Sequence, residues 1–316
     1  MARSSIVAAG IDTAKLKLDI AIHGGEVFMI ANDEAGWREA ARRLTLARVT
    51  RVGLEASGGY ERGVARFLQG AGLEVVVMQP MQVKAFAKLH LKRAKTDRID
   101  AVLIAACTHV MAAARLLPAD ARFDALADHL TAIEQWEEDI VRQKTRLEQT
   151  RDGRLRRLVE GDIKKLQARR AAELLRLGVR LRQYEDLARR LDLVASVPSI
   201  GERTALSLVI RMPELGQVSR EEIAALAGLA PFVRQSGQSK GEAHIGGGRE
   251  RVRRSIYAAT LAGAFHWNPQ LKAMYQRLVG HGKSHKQAMV ACARKLLIFA
   301  NAVVARDAPW EATAAG

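Results

Sequence analysis

The first 117 residues constrain the fold most, because strand-like and helix-like patterns alternate there in a definite order. Residues 6–12 form a short β-like run. Residues 16–23 alternate polar and apolar, and Gly24-Gly25 marks a turn before residues 27–31. Residues 34–47 switch to helical spacing around Trp37, Ala41 and Leu44. Residues 49–55 are strand-like again, Gly58-Gly59 opens a helix over 60–69, and residues 73–78 make a fifth strand. Pro80 starts a helical stretch that continues, after a break, into residues 97–114.

Three strands, helix, strand, helix, strand, helix is the order of an RNase H-like fold, an α/β architecture with a mixed sheet. That domain is assigned residues 1–117. Residues 118–192 differ: Leu, Ala, Arg and Glu dominate, and leucines recur at three- and four-residue steps (Leu126, Leu130; Leu155, Leu158; Leu187, Leu191). The pattern predicts a helical hairpin or coiled coil with its turn between Asp152 and Gly161. It serves oligomerisation, or it packs as a bundle on the first domain. Residues 193–316 read as a third, mostly helical domain. It starts with Val197-Pro-Ser-Ile-Gly201, similar to a helix-hairpin-helix, whose turn offers backbone N–H groups to a phosphate. Ser199 stands where such a turn usually has Gly.

Charge narrows the partner. Among 316 residues, 50 Lys and Arg face 34 Asp and Glu, a net charge of +16. Such an excess attracts a polyanion, nucleic acid before an anionic membrane. No apolar run is read as reaching the roughly 18 residues of a spanning helix, and the N-terminus lacks a signal-peptide pattern. The two cysteines, Cys107 and Cys292, have no zinc-ligand spacing and make no disulfide framework. A reduced, cytoplasmic protein without a membrane partner is expected.

Four carboxylates carry the chemistry. Asp12 ends the first predicted strand, in GIDTAK, and Glu55 ends the fourth, in GLEASGGYE. Those strands are neighbours in an RNase H-like sheet. Asp97 and Asp100, in KTDRIDA, are three apart, which puts both on one helix face. Singly, each has an ordinary structural reading: Asp12 as a turn cap, Asp97 and Asp100 as an acidic variant of the capping box. Together they would repel unless cations lay between them. Oxygen-only ligands suit Mg²⁺ or Mn²⁺, and two such ions stabilise the attacking and leaving oxygens of phosphoryl transfer.

GIDTAK, EASGGYE and KTDRIDA resemble the three parts of the DEDD motif of bacterial insertion-sequence transposases, the relatives of pilin-gene invertases. The resemblance spans nearly the whole chain. It implies a RuvC-like first domain and a site-specific DNA recombinase. The stretch from Gly228, GLAPFVRQSGQSKGEAHIGGGRERVRRSIYAA, resembles the second half of the family pattern, and the serine of its SG pair, Ser236, is the implied nucleophile. Ser239 is the alternative. A phosphoserine link would conserve the bond energy for rejoining without ATP. The family also implies a guide (bridge-type) non-coding RNA, and a homo-oligomer, dimer or tetramer, whose subunits share active sites.

Two basic segments are assigned to nucleic acid. Lys84, Lys88, Lys92, Arg93, Lys95 and Arg98 precede or flank the Asp97 pair. Arg249, Arg251, Arg253 and Arg254 follow Gly246-Gly-Gly248, a loop read as allowing close approach to phosphate. Lys283, His285, Lys286, Arg294 and Lys295 add charge farther on. Aromatic content is 5%, so base stacking is not read as the main mode of binding. Three alternatives stand beside the recombinase. One is a RuvC-like nuclease using water. The second is an actin-like ATPase or sugar kinase, disfavoured because GIDTAK lacks the small-residue phosphate turn. The third is a non-catalytic nucleic-acid-binding scaffold. A Ser-His-Asp hydrolase is disfavoured by the absence of a G-x-S-x-G elbow.

Overall fold

The computed structural model describes residues 6–56, 58–89, 97–111, 120–236 and 239–311. The chain divides into two units, Met1–Ala121 and Arg122–Gly316. The first contains β1 (Ala8–Thr13), β2 (Lys17–Ile22), β3 (Val27–Ala31), α1 (Glu34–Leu46), β4 (Arg51–Glu55), α2 (Arg62–Gly70), β5 (Glu74–Met78), α3 (Pro80–Leu89) and α4 (Asp97–Val110). The strands form one sheet in the order β3-β2-β1-β4-β5. The pairs β1–β2 and β2–β3 are antiparallel, while β1–β4 and β4–β5 are parallel. A mixed sheet in this order is the RNase H-like arrangement that the element order predicts.

Alternation along β1 assigns its two faces. Ala9 and Ile11 share a core with Ala40, Leu44, Val64 and Leu68, so α1 and α2 cover that face. The opposite face carries Gly10 and Gly53, and α4 lies on it. A Cβ at Gly10 would stand 2.1 Å from the Ala105 nitrogen and 2.4 Å from the Ala101 oxygen. A Cβ at Gly53 would stand 1.9 Å from Thr108 Oγ1. The helix answers with small residues: Ala101 and Ala105 pack with Ala21. Thr108 turns its hydroxyl inward, donating to the Ile104 carbonyl at 2.7 Å. The helix therefore rests on the sheet backbone itself.

The second unit begins with a helical hairpin, α5 (Arg122–Gln149) and α6 (Gly153–Arg182). Its turn is earlier and tighter than the sequence suggests. Asp152 caps α6, accepting from the Leu155 nitrogen at 2.8 Å, and Gly161 lies inside the helix. The hairpin lies in one compact unit with the helices that follow it. Leu126, Leu130, Ile133, Leu177 and Leu181 share one core with Leu191, Leu208, Val252 and Leu296. That core joins α7 (Glu185–Ala195), α8 (Glu202–Arg211), α9 (Arg220–Leu226), α10 (Glu250–Ala262), α11 (Pro269–Gly280) and α12 (His285–Ala305). A β-hairpin interrupts the helices, β6 (Pro231–Ser236) and β7 (Ser239–Ile245).

One helix corrects the hydropathy reading: α12 is long and apolar enough to cross a bilayer, yet over half of that stretch is buried within the unit. Its Cys292, Leu296, Leu297 and Ala300 lie in the core. Burial pushes the Cys292 thiol up to about 11. Between α7 and α8, Ser199 has φ 79°, the left-handed conformation that explains why glycine is usual at this turn position.

The α4 contact predicts a specific fragility. Gly10→Ala is expected to cost about 1–3 kcal/mol by overpacking, read as a lowered urea midpoint for the full chain. An unchanged midpoint would show that α4 is free to move off the sheet.

Candidate active site and nucleic-acid interface

The acidic residues come to one end of the α4-covered face. Parallel register pairs Ile11 with Leu54, so the next residues, Asp12, one before the end of β1, and Glu55, the last of β4, lie at the same end of adjacent strands. They lie two residues beyond Gly10 and Gly53 and share their face. The direction of α4 is set by its far end. His109 Nδ1 lies 3.0 Å from the Ile6 carbonyl, and Arg51 Nη1 donates to the Met111 carbonyl at 3.1 Å. The C-terminus of α4 is thus at the start of β1 and β4. Its N-terminus, with Asp97 as first residue and Asp100 one turn in, lies toward the strand ends that carry Asp12 and Glu55.

A further carboxylate, absent from the sequence expectations, stands beside them. Asp19 pairs directly with Asp12 across β1–β2, and directly opposed residues share a face with Cβ atoms about 5 Å apart. Asp19 is only 4% exposed, and Lys17 Nζ lies 3.1 Å from it. The signal was the strand register, invisible until the turn between β1 and β2 is known. The side chains of Asp12, Glu55 and Asp100 are partly buried, with oxygen donors only. The side chain of Asp97 lies outside the described set. Among the described residues, no three Asp, Glu, His or Cys stand in a metal-binding geometry.

Two side chains shape the loops after these strands. Asn32 Nδ2 donates to the Ala14 carbonyl at 2.8 Å and to the Tyr60 carbonyl at 3.2 Å, tying the loop after Asp12 to the loop after Glu55. Trp37 Nε1 donates to Asn32 Oδ1 at 2.8 Å and fixes the amide. Glu61 turns back and accepts from the Gly59 nitrogen at 2.9 Å. Gly58 and Gly59 have φ of 77° and 110°, so the glycine pair of EASGGYE is required by the turn.

Ser236 is the last residue of β6 and pairs with Ser239, the first of β7. The two candidate serines are therefore register partners at the end of the hairpin. Residues 237 and 238, and the side chains of both serines, lie outside the described set.

The basic segments divide. Lys84 and Lys88 are exposed on α3, and Arg98 is exposed on α4. Lys92, Arg93 and Lys95 lie outside the described residues. The residues of the second cluster all make contacts within the second unit. Arg249 makes two 2.6 Å hydrogen bonds to the Glu214 carboxylate, and its burial lowers its pKa. Arg251 pairs with Glu134 at 2.5 Å. Arg253 donates to the Gly247 carbonyl at 2.6 Å. Arg254, the most exposed of the four, pairs with Glu138 and Glu250 at 3.0 Å each. In the glycine loop Gly247 is exposed and a Cβ at Gly246 would meet nothing within 4 Å, whereas a Cβ at Gly248 would stand 2.3 Å from the Gly228 nitrogen, so the loop packs on a second turn at that residue.

Glu134 is the hub. It is 6% exposed and meets Arg203 at 3.7 Å and Arg211 at 2.7 Å as well as Arg251. Burial lowers the Arg211 pKa, against the pull of Glu134. Removing one partner of such a buried cluster strands the others, so Glu134→Ala is expected to cost about 3–5 kcal/mol, measured by urea denaturation. A cost below that of an exposed pair, about 1 kcal/mol, would deny Glu134 this role.

Residues 9–159 match a family model described as transposase, of the DEDD type of IS110. Residues 191–276 match a second, described as transposase of the IS116/IS110/IS902 family. The chain belongs to the IS110 family of transposases. It is 25% identical to the pilin gene-inverting protein of Moraxella bovis, over 96% of this chain and 97% of that protein. It is also 25% identical to the pilin gene-inverting protein of Moraxella lacunata, over 82% of this chain and 81% of that one. Among solved structures it is similar to Thermus thermophilus RuvC in complex with a Holliday junction substrate. That match has 19% identity and a TM-score of 0.27, over 35% of this chain and 99% of that one. Family membership makes the chain an enzyme of DNA recombination.

Proposed function

We propose that this transposase cuts and rejoins DNA strands through a divalent-metal carboxylate site and a covalent serine intermediate. The observation that carries the first part is the reversed run of α4, with its acidic N-terminus toward the ends of β1 and β4. Asp12, Glu55, Asp97 and Asp100 are the residues proposed to hold Mg²⁺ or Mn²⁺, their oxygen-only chemistry being suited to hard cations. Such ions, when bound, neutralise charge on the attacking and leaving oxygens of phosphoryl transfer.

Ser236 is the proposed nucleophile. Its Oγ forms a bond to phosphorus as one phosphorus–oxygen bond of the DNA backbone breaks. The hydroxyl proton leaves, and the departing sugar oxygen takes one up. The phosphodiester so formed on serine is then attacked by a sugar hydroxyl, which restores the DNA and frees Ser236. The basic segment Lys84, Lys88, Lys92, Arg93, Lys95 and Arg98 adjoins the proposed metal site in sequence and is assigned to the DNA backbone. Arg254 is kept as a lesser candidate.

A guide non-coding RNA and a homo-oligomer complete the proposal, in the cytoplasm where DNA is accessible. For the oligomer, the support is a row of exposed apolar residues toward the hairpin tip: Val141, Leu155 and Leu158. Replacing Leu155 and Leu158 by Glu is expected to shift the full chain to lower mass in analytical ultracentrifugation. Unchanged sedimentation would remove the hairpin from the interface.

Covalent trapping tests the chemistry. Purified protein, element-junction DNA, Mg²⁺ and RNA from the element's non-coding flank are expected to yield a denaturant-resistant adduct that Ser236→Ala abolishes. Asp12→Ala and Asp100→Asn are expected to abolish strand cleavage while the fold persists. A second reading is favoured by all four acidic residues lying in the first unit, without Ser236: a nuclease using water. Metal-dependent cleavage that forms no adduct and ignores Ser236→Ala would establish it.

A further inference from the structure

The second unit carries an exposed aromatic cluster that the recombination chemistry does not use. A π-helical turn, Gly263–Trp267, follows α10. Both of its ends are pinned. A Cβ at Gly263 would stand 2.4 Å from Ser199 Oγ, so this backbone rests on the turn between α7 and α8. Asn268, buried, donates from Nδ2 to the Pro198 carbonyl at 3.2 Å and caps α11 through Oδ1, 3.1 Å from the Leu271 nitrogen. Between the anchors the rings face water: Trp267 is 68% and Phe265 40% exposed. Phe265 packs edge-on against Tyr275, centroids 5.1 Å apart, and lies near parallel to His285, at 6.4 Å and 16°. The Tyr275 hydroxyl and His285 Nδ1 are 2.8 Å apart, which holds the cluster in place.

Exposing a tryptophan on a pinned backbone leaves apolar area in water with no gain to the fold. The charge around it identifies the occupant. From Arg251 through Arg306 the sequence contains no Asp or Glu. Lys283 and Lys286 flank His285, and Lys272 and Arg277 lie on α11; all four are exposed. A second copy docked face to face would set like charge against like charge. A polyanion with flat apolar rings fits both features. In a duplex those rings are stacked and unavailable, whereas an unpaired base offers its face to an aromatic side chain while its phosphate meets lysine.

We infer that Trp267 and Phe265, in a stretch that also carries the exposed Lys272, Arg277, Lys283 and Lys286, form a stacking platform for unpaired bases of single-stranded DNA. Strand exchange exposes such bases, and the platform would hold a displaced strand. The inference rests on the DNA substrate of the family and is independent of the serine and metal chemistry, because binding is read without cleavage.

The test uses the full chain and a fluorescein-labelled oligothymidylate, followed by anisotropy without added metal. Trp267→Ala is expected to weaken binding about tenfold or more. Trp267→Phe should retain most of the affinity, and a blunt duplex of equal length should bind both variants within about twofold of the parent. Coincident thermal melts establish that the exposed substitutions leave the fold intact. Unchanged oligothymidylate binding by Trp267→Ala would overturn the inference, and so would an equal loss of duplex binding. A loss confined to an oligouridylate RNA would reassign the platform to RNA and overturn it as stated. Retained oligothymidylate affinity together with loss of a co-purifying acidic protein would reassign it to a protein partner.

Discussion

The architecture of the first unit depends on one close approach, α4 lying against bare sheet backbone at Gly10 and Gly53. Without side chains at those positions the helix sits where a Cβ would be, with Ala101, Ala105 and Thr108 filling the contact. The same approach orients the acidic residues. In β1 and β4 the glycine precedes the carboxylate by two, so glycine and carboxylate share a face by the pleat alone. In α4 the acidic first turn directly precedes the alanines of the contact. The spacing of each carboxylate from its packing residue thus converts helix docking into an acidic edge. Asp19 increases the density of charge, and Lys17 offsets it on the solvent side.

Charge in the second unit follows another logic. Arg254 of α10 is exposed, but Arg249 and Arg251 at the α10 N-terminus and Arg203 of α8 turn inward. They reach inward to Glu134, Glu137 and Glu214, where guanidinium geometry allows two bonds to one carboxylate. Arg203 bonds Glu137 at 2.6 Å and Ser255 at 3.0 Å, and so joins α5, α8 and α10. Asn301 works in the same spirit from α12, accepting from the Gly216 nitrogen and donating to the Val218 carbonyl to hold the turn that carries Glu214. Net charge alone therefore overstates the positive surface. The positive charge without local acidic partners in sequence begins after this network, along α11 and α12.

What was legible in the sequence follows from locality. Strand alternation and helical spacing are short-range, and they indicated the order β1 to β5, the position of Asp12 and Glu55 at strand ends, and the i, i+3 placement of Asp97 and Asp100. The helical hairpin was legible for the same reason. Its turn was not, because Gly161 is tolerated inside a long helix held by packing, while the tight turn depends on the Asp152 cap. Asp19 was missed because its importance comes from cross-strand register. The pairing of Arg249 with Glu214 and of Arg251 with Glu134 is not legible locally, because these partners are distant in sequence. The approach of Gly248 to the Gly228 backbone is non-local in the same way. The β6–β7 hairpin was overlooked because the surrounding residues have helical spacing and its own strands are short.

Local patterns leave out what depends on partners distant in sequence. Aromatic content is likewise an average over the chain and does not report where the rings are placed. The pinned turn at Gly263–Trp267 concentrates Phe265 and Trp267 at one point of a face without acidic sequence. A chain can be poor in aromatics and still commit two of them to solvent. What distinguishes such residues from core rings is that the buried Gly263 and Asn268 hold the backbone on either side, so the exposed side chains are not needed to hold it.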